Sequence, residues 1–245
     1  RVVEHVHDRK LDAVICIGGD GTMSGASRLM EKGIRCIGVP KTIDNDLMST
    51  EITFGFTTAV QTASEALDRI HTTGASHHRV MIVELMGRNA GWLTLSAGIA
   101  SGADIILIPE IPYDIDAVCR VCFDRDRRGK RFTLIAISEG ARPRDGQQTV
   151  SKIVADSPDP IRLGGVSAVL ADQIAEHARL ETRATILGHV QRGGTPVAFD
   201  RVLATEFGYK AIELLAESRF NEMVVMQNGR TGSVPIESVA QRQRL

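Results

Sequence analysis

The chain has 245 residues, 43% hydrophobic and 24% charged, with a formal net charge of -1. That balance can build one large core or two modest ones and excludes a disordered chain, while near-neutrality argues against nucleic-acid or membrane binding by bulk electrostatics. No apolar run approaches the roughly 20 residues of a spanning helix and no signal peptide opens the chain, so a cytoplasmic protein with no membrane or nucleic-acid partner is expected.

In chain order, residues 2–8 read as helical and residues 11–17 as a short apolar strand ending in Gly18-Gly19-Asp20-Gly21-Thr22. A helical stretch runs to about Lys32 and a second strand covers 34–39. Phe56, Ala59, Val60, Ala63, Ala66, Leu67 and Ile70 keep helical spacing, and residues 80–85 form a β-branched run. A helix near 90–101, a strand at 105–108, a helix near 115–127 and a strand at 132–137 follow. Residues 139–164 interrupt the rhythm with Pro143, Asp145, Gly146, Pro158, Pro160 and Gly164-Gly165, which predicts a long surface excursion. A helix at 166–179, a strand at 184–190, a helix at 199–217 and a strand at 223–226 complete the series.

Near-continuous apolar strands alternating with helices predict an α/β fold, doubly wound, with mostly parallel sheets covered by helices. Such a sheet ordinarily opens with a strand whose following turn holds phosphate. This chain opens instead on a helix without an initiator Met and ends abruptly at Gln241-Arg-Gln-Arg-Leu245, so a fragment lacking its first elements is expected.

Cys16 and Cys36 fall inside predicted strands, where a thiol acts as a small hydrophobe. Cys119-Arg-Val-Cys122 has a spacing known from zinc and redox sites, but no second pair completes a tetrahedron.

Ligands of open parallel sheets bind at the carboxyl ends of the strands. Five such ends here carry ionic or glycine-rich groups: Gly-Gly-Asp-Gly-Thr, then Pro40-Lys-Thr-Ile-Asp-Asn-Asp46, Met86-Gly87-Arg88, Ser138-Glu139-Gly140, and Gly188-His189-Val190-Gln191-Arg192-Gly193-Gly194. Gly18, Gly19 and Gly21 let backbone N–H groups approach an anion beside a helix N-terminus. Asp20 among them is costly beside phosphate unless a cation lies between, which points to Mg2+; the alternative is that Asp20 caps the helix. Asp44 and Asp46 flank Asn45, so one carboxylate can accept a hydroxyl proton while the other orients a partner or the metal's waters. Arg88, with Arg79, His189, Arg192 and Arg183, supplies cations for a second phosphate. A metal, a base and arginines on a transferable phosphate describe phosphoryl transfer to a hydroxyl acceptor.

The five strand ends, His78-Arg79 and Thr182-Arg-Ala-Thr-Ile-Leu-Gly-His-Val-Gln-Arg-Gly-Gly194 resemble, in order, the motifs of the 6-phosphofructokinase family, from about Leu11 to Met226. The resemblance implies two similar α/β domains, with residues 1–55 and 191–230 binding nucleotide and Mg2+ and residues 56–190 binding fructose 6-phosphate. Asp44 is implied as the base for the sugar 1-hydroxyl, with Thr42 and Arg88 stabilising the moving phosphoryl group. Asp20 would hold Mg2+ with support from Asp46. Gly19, Gly21, Thr22 and Gly25 would line the phosphates of ATP, beside Lys41. Met86, Gly87 and Glu139 would contact the sugar, and Ile43, Val190 and Gln191 join the substrate-binding set through their motifs. His189 and Arg192 would grip the 6-phosphate, joined by Arg79 and Arg183 from a neighbouring subunit. A homo-oligomer, dimer or tetramer, with shared active sites follows from that, and the isolated stretch is expected to be inactive although its parent is active.

Lys41 stands where short bacterial ATP enzymes carry Gly, as in pyrophosphate-using relatives, whereas Gly21 lacks the Asp those relatives pair with it. The mixed pair is similar to an ATP-using subgroup, with a pyrophosphate-dependent enzyme as the alternative. His71 and Asp104 replace an effector-binding Arg and Glu, so the effector control of the short bacterial enzymes is not implied. A lipid or NAD kinase sharing the glycine loop, and a non-catalytic subunit that binds nucleotide or sugar phosphate, are the other readings.

Overall fold

The alternation of apolar and amphipathic stretches becomes, in the computed structural model, α1 (Val2–Asp8), β1 (Val14–Gly18), α2 (Asp20–Met30), β2 (Cys36–Thr42), β3 (Phe54–Gly55), α3 (Phe56–His77), β4 (Val80–Leu85) and α4 (Trp92–Ala100). There follow β5 (Ile105–Leu107), α5 (Ile115–Arg127), β6 (Thr133–Ser138), β7 (Val150–Ile153), β8 (Ile161–Leu163), α6 (Val166–Ala178), β9 (Thr182–Ile186), α7 (Ala198–Ala216), β10 (Glu222–Gln227) and β11 (Arg230–Pro235). The structure describes residues 1–155 and 160–245. Two units result, Arg1–Thr58 with Thr195–Arg244, and Ala59–Gly194 with the terminal Leu245. The sequence reading divided the chain at 55/56 and 190/191; the unit boundaries lie at 58/59 and 194/195. Among the described residues no helix is long and apolar enough to cross a membrane.

In the first unit the sheet order is β1-β2-β10-β11, with β3 also on β2. β1, β2 and β10 are parallel and β11 returns antiparallel to β10. Side chains alternate across the sheet. Cys36, Met223 and Val225 join Met23 and Ala26 of α2 on one face, and Ile37, Val39 and Val224 join Leu203, Phe207 and Leu214 of α7 on the other. Burying each of those large α7 side chains contributes about 1.5–3 kcal/mol. At Gly38 a Cβ would lie 2.7 Å from Met23 Sδ, so glycine lets α2 settle on the sheet. The buried Asp200, in the first turn of α7, accepts from Thr58 N (2.7 Å) and Thr58 Oγ1 (2.5 Å), where its charge also suits the helix dipole.

In the second unit the order is β5-β6-β4-β9, all parallel. β4 and β6 are buried along their full length, as central parallel strands between helical layers must be. Val80, Ile82, Ile135 and Ile137 pack with Val118 and Cys122 of α5 and Leu170 and Ile174 of α6. Cys119 and Cys122 are free thiols packed in this core. Glu84, 2% exposed in β4, accepts from Gly165 N (2.9 Å), Ser167 N (2.9 Å) and Ser167 Oγ (2.7 Å), which satisfies a buried charge and pins the start of α6. Asp104 pairs with Arg125 at 2.7 Å and accepts from Leu134 N at 2.9 Å, and His71 packs edge-on against Phe132.

One expectation needs correction, and some short strands were not anticipated. The 139–164 excursion contains an antiparallel ribbon, β7 with β8; its strands are short, solvated and flanked by turn formers, so no apolar period announces them. Pro158 lies outside the described residues. The strand placed at 184–190 starts at Thr182 and stops at Ile186, and Gly188–Arg192 is a 3-10 turn, because Gly188 takes a φ of +52° that no strand accommodates. β11, mostly polar, went unread.

Candidate active site

β1 and β2 run parallel with Gly18 opposite Pro40, so the glycine loop and the Lys-Thr-Ile-Asp-Asn-Asp segment emerge at the same sheet edge. A Cβ on Gly19 would meet Thr42 Cβ at 3.2 Å, so the two loops touch. Gly19, not Asp20, is the N-cap of α2, without a side-chain cap bond. Asp20 is the first helical residue. Gly21 and Gly25, one helical turn apart, have no atom within 4 Å of where a Cβ would stand, which leaves that helix face open. Lys41 is exposed and Thr22 half-buried.

The segment after β2 is held by its own polar side chains. Asp44 N donates to Thr42 Oγ1 (3.2 Å). Asn45 takes a left-handed φ of 51°, which Asn tolerates, and its buried amide accepts from Thr53 N (3.0 Å) and donates to Glu51 O (3.3 Å). Thr53 Oγ1 donates to Thr42 O (2.8 Å). Ile43 is buried, so its side chain anchors the segment. Asp46 is 5% exposed, and its carboxyl is pushed up to about 6 by burial, by the charge of Asp44 and by that of Asp20. Hydrogen bonds, including one donated by Gln243 Nε2 at 3.0 Å, oppose that rise.

Burial and the nearby charges of Asp44 and Asp20 raise the proton affinity of Asp46, and all three carboxylates are hard oxygen donors. Among the described residues no group of three or more His, Cys, Asp or Glu side chains is placed to hold a metal ion. Mg2+ is commonly held by one or two carboxylates together with waters and substrate phosphates, and Asp20 and Asp46 are the carboxylates that would supply that share.

In the second unit Gly87 takes a φ of +139° and Arg88 one of +50°. The N–H groups of both donate to Glu139 Oε1, at 3.3 Å and 3.1 Å, and Glu139 N donates to Leu85 O (2.8 Å). Burial pushes Glu139 above the ordinary carboxyl range; the two N–H bonds and the charge of Arg192 pull it back, while Glu84 adds to the rise. Gln191, 1% exposed, accepts from Met86 N (3.3 Å) and donates to Gly188 O (3.0 Å). It therefore ties the turn bearing His189, Val190 and Arg192 to the end of β4. His189, Val190 and Arg192 are exposed.

Arg79 and Arg183 are elsewhere. Val80 pairs with Thr182 and Met81 with Arg183 at the starts of the parallel β4 and β9, whereas Met86 follows the far end of β4. Both arginines bond Glu181 Oε1, Arg79 at 3.0 Å and Arg183 at 2.7 Å.

Sequence reasoning missed Glu181, although it sits two residues before Arg183, and missed the 241–244 segment. There Arg244 N donates to Asp46 O (2.7 Å), and Arg244 Nη1 to Thr50 O and Glu51 O (2.9 Å each). No local pattern signals contacts that span nearly 200 residues.

A family model described as phosphofructokinase matches residues 1–215. The chain is 51% identical over 241 residues to "ATP-dependent 6-phosphofructokinase 2" of Clostridium perfringens, covering 97% of this chain and 65% of that protein. It is 48% identical over 228 residues to "Pyrophosphate–fructose 6-phosphate 1-phosphotransferase" of Amycolatopsis mediterranei, covering 93% and 66%. The solved phosphofructokinase of Saccharomyces cerevisiae superposes with a TM-score of 0.81 at 32% identity, over 97% of this chain and 33% of that one. The chain thus spans about two thirds of the length of the curated relatives it matches.

Proposed function

Because the chain belongs to the phosphofructokinase family, we propose that its protein transfers the terminal phosphoryl group of ATP to the 1-hydroxyl of D-fructose 6-phosphate, giving fructose 1,6-bisphosphate. The observation that carries this reading is the electrostatic effect of Asp44 and Asp20 on Asp46, where the glycine loop meets Thr42. Asp44, less buried than Asp46, accepts the hydroxyl proton as the alcohol attacks. Asp20, supported by Asp46, holds Mg2+, which when bound neutralises charge on the donor phosphates. Gly19, Gly21, Thr22 and Gly25 line those phosphates with backbone and a bare helix face. Thr42 and Arg88 hold the moving phosphoryl group. Met86, Gly87 and Glu139 hold the sugar, and His189 and Arg192 its 6-phosphate. Arg79 and Arg183, at the opposite sheet edge, serve the site of a neighbouring copy, which makes the working protein a homo-oligomer.

ATP is favoured over pyrophosphate because the space beside Gly21 is open to the rest of a nucleotide. Lys41 and the pyrophosphate-named relative support the second reading. Turnover of the full-length protein with Mg-ATP and Mg-pyrophosphate in parallel separates them. ATP turnover well above pyrophosphate turnover is expected; the reverse would defeat the donor assignment, and product from neither would defeat the reaction.

A further inference from the structure

Arg79 and Arg183 do not stand open. Their Nη2 atoms lie 3.0 Å and 2.7 Å from one and the same oxygen, Glu181 Oε1. Arg183 also folds its Nη1 back onto Thr182 O at 2.8 Å. Two guanidinium groups sharing one anionic oxygen is the arrangement an arginine pair makes with a phosphate, so the carboxylate occupies the place of a phosphate oxygen. The main chain of Glu181 is fixed, its carbonyl accepting from Val80 N at 2.9 Å, but its side chain is 49% exposed and free to withdraw. The hydrogen bond from Arg79 holds the Glu181 carboxyl below its ordinary value, so it is charged whenever the arginines are free of ligand. Exposed ion pairs of this kind are weak, and a phosphate dianion is the stronger partner for two guanidiniums.

We propose that Glu181 is a built-in competitor: its carboxylate occupies Arg79 and Arg183 until the sugar 6-phosphate displaces it, and so sets the affinity for that substrate. The proposal rests on the reading that these two arginines grip the 6-phosphate. It differs from a merely structural role in the sign of its effect. A residue that only oriented the arginines would weaken substrate binding when neutralised, whereas a competitor strengthens it.

The test uses the full-length protein with Glu181→Gln, Glu181→Ala and Glu181→Asp, and measures KM for fructose 6-phosphate, kcat, and direct binding of fructose 6-phosphate without nucleotide. Glu181→Gln and Glu181→Ala are expected to lower KM and Kd about three- to tenfold with kcat unchanged; Glu181→Asp, which keeps the charge, stays near the parent value. Arg79→Ala and Arg183→Ala are expected to raise KM. Raised KM in the arginine variants together with unchanged or raised KM in Glu181→Gln overturns the competitor role alone. Unchanged KM in the arginine variants overturns the 6-phosphate reading and the competitor role with it.

Discussion

The backbone N–H of Arg88 donates to the carboxylate of Glu139 over 3.1 Å, while Arg88 itself sits at a φ of +50°. A non-glycine residue pays for that backbone state unless neighbours hold it there, and Glu139, which also receives the Gly87 N–H at 3.3 Å, is what holds it.

Glu139→Ala should therefore cost about 1–2 kcal/mol of stability by leaving the Gly87 and Arg88 N–H groups without their half-buried acceptor, and should lower kcat by releasing Arg88. Glu139→Gln keeps an acceptor oxygen and should lose less on both counts. Urea denaturation and steady-state kinetics of the two variants check the ordering; equal behaviour would remove the positioning role.

Asp46 gives a pH-dependent expectation. Its folded carboxyl, at about 6, lies above the unfolded value of 3.8, so the fold favours the protonated form. The favourable contribution is complete below about pH 4 and is lost as pH rises through about 6, leaving a charge penalty of up to roughly 3 kcal/mol at neutral pH. In protein stripped of divalent ions with EDTA, Asp46→Asn should raise Tm at pH 7.5, and the gain should vanish near pH 4. Thermal melts at the two pH values test this; a gain independent of pH would contradict it.

Asp44 should behave as a chemical group, not a binding one. In the full-length protein Asp44→Ser should reduce kcat by about 10²- to 10⁴-fold while leaving the Kd for fructose 6-phosphate little changed. An unchanged kcat would remove the base.

Gly21 tests donor choice. With nothing within 4 Å of its Cβ position, Gly21→Asp should fold normally, and an acidic residue in the first turn of α2 even suits the helix dipole. The new carboxylate should raise KM for Mg-ATP much more than for Mg-pyrophosphate. Equal changes for both donors would show that this position does not sense the nucleotide.

Much of the fold was legible beforehand because a central parallel strand is largely apolar: residues 80–85, apolar but for Glu84, read as a strand and are one, end to end. The ribbon of β7 and β8, and β11, stayed hidden because solvated antiparallel strands leave no such run. Candidate site residues can be named from sequence where ions crowd a strand end. Gln191 shows the limit: its motif groups it with substrate contacts, but its buried amide bridges Met86 N and Gly188 O. Side-chain direction after Gly188 depends on the turn, which a sequence pattern cannot specify. Gln243 escaped notice because it acts on Asp46, which only folding brings near, and Glu181 because its contact to Arg79 is likewise long-range.

A β-strand is also a ruler. The six residues of β4 span about 20 Å, so one hexose phosphate cannot reach both Met86 at one end and Arg79 at the other. If both ends serve the same substrate, each lone copy offers only part of a grip, and simple dilution should slacken the hold on the sugar before any residue is altered.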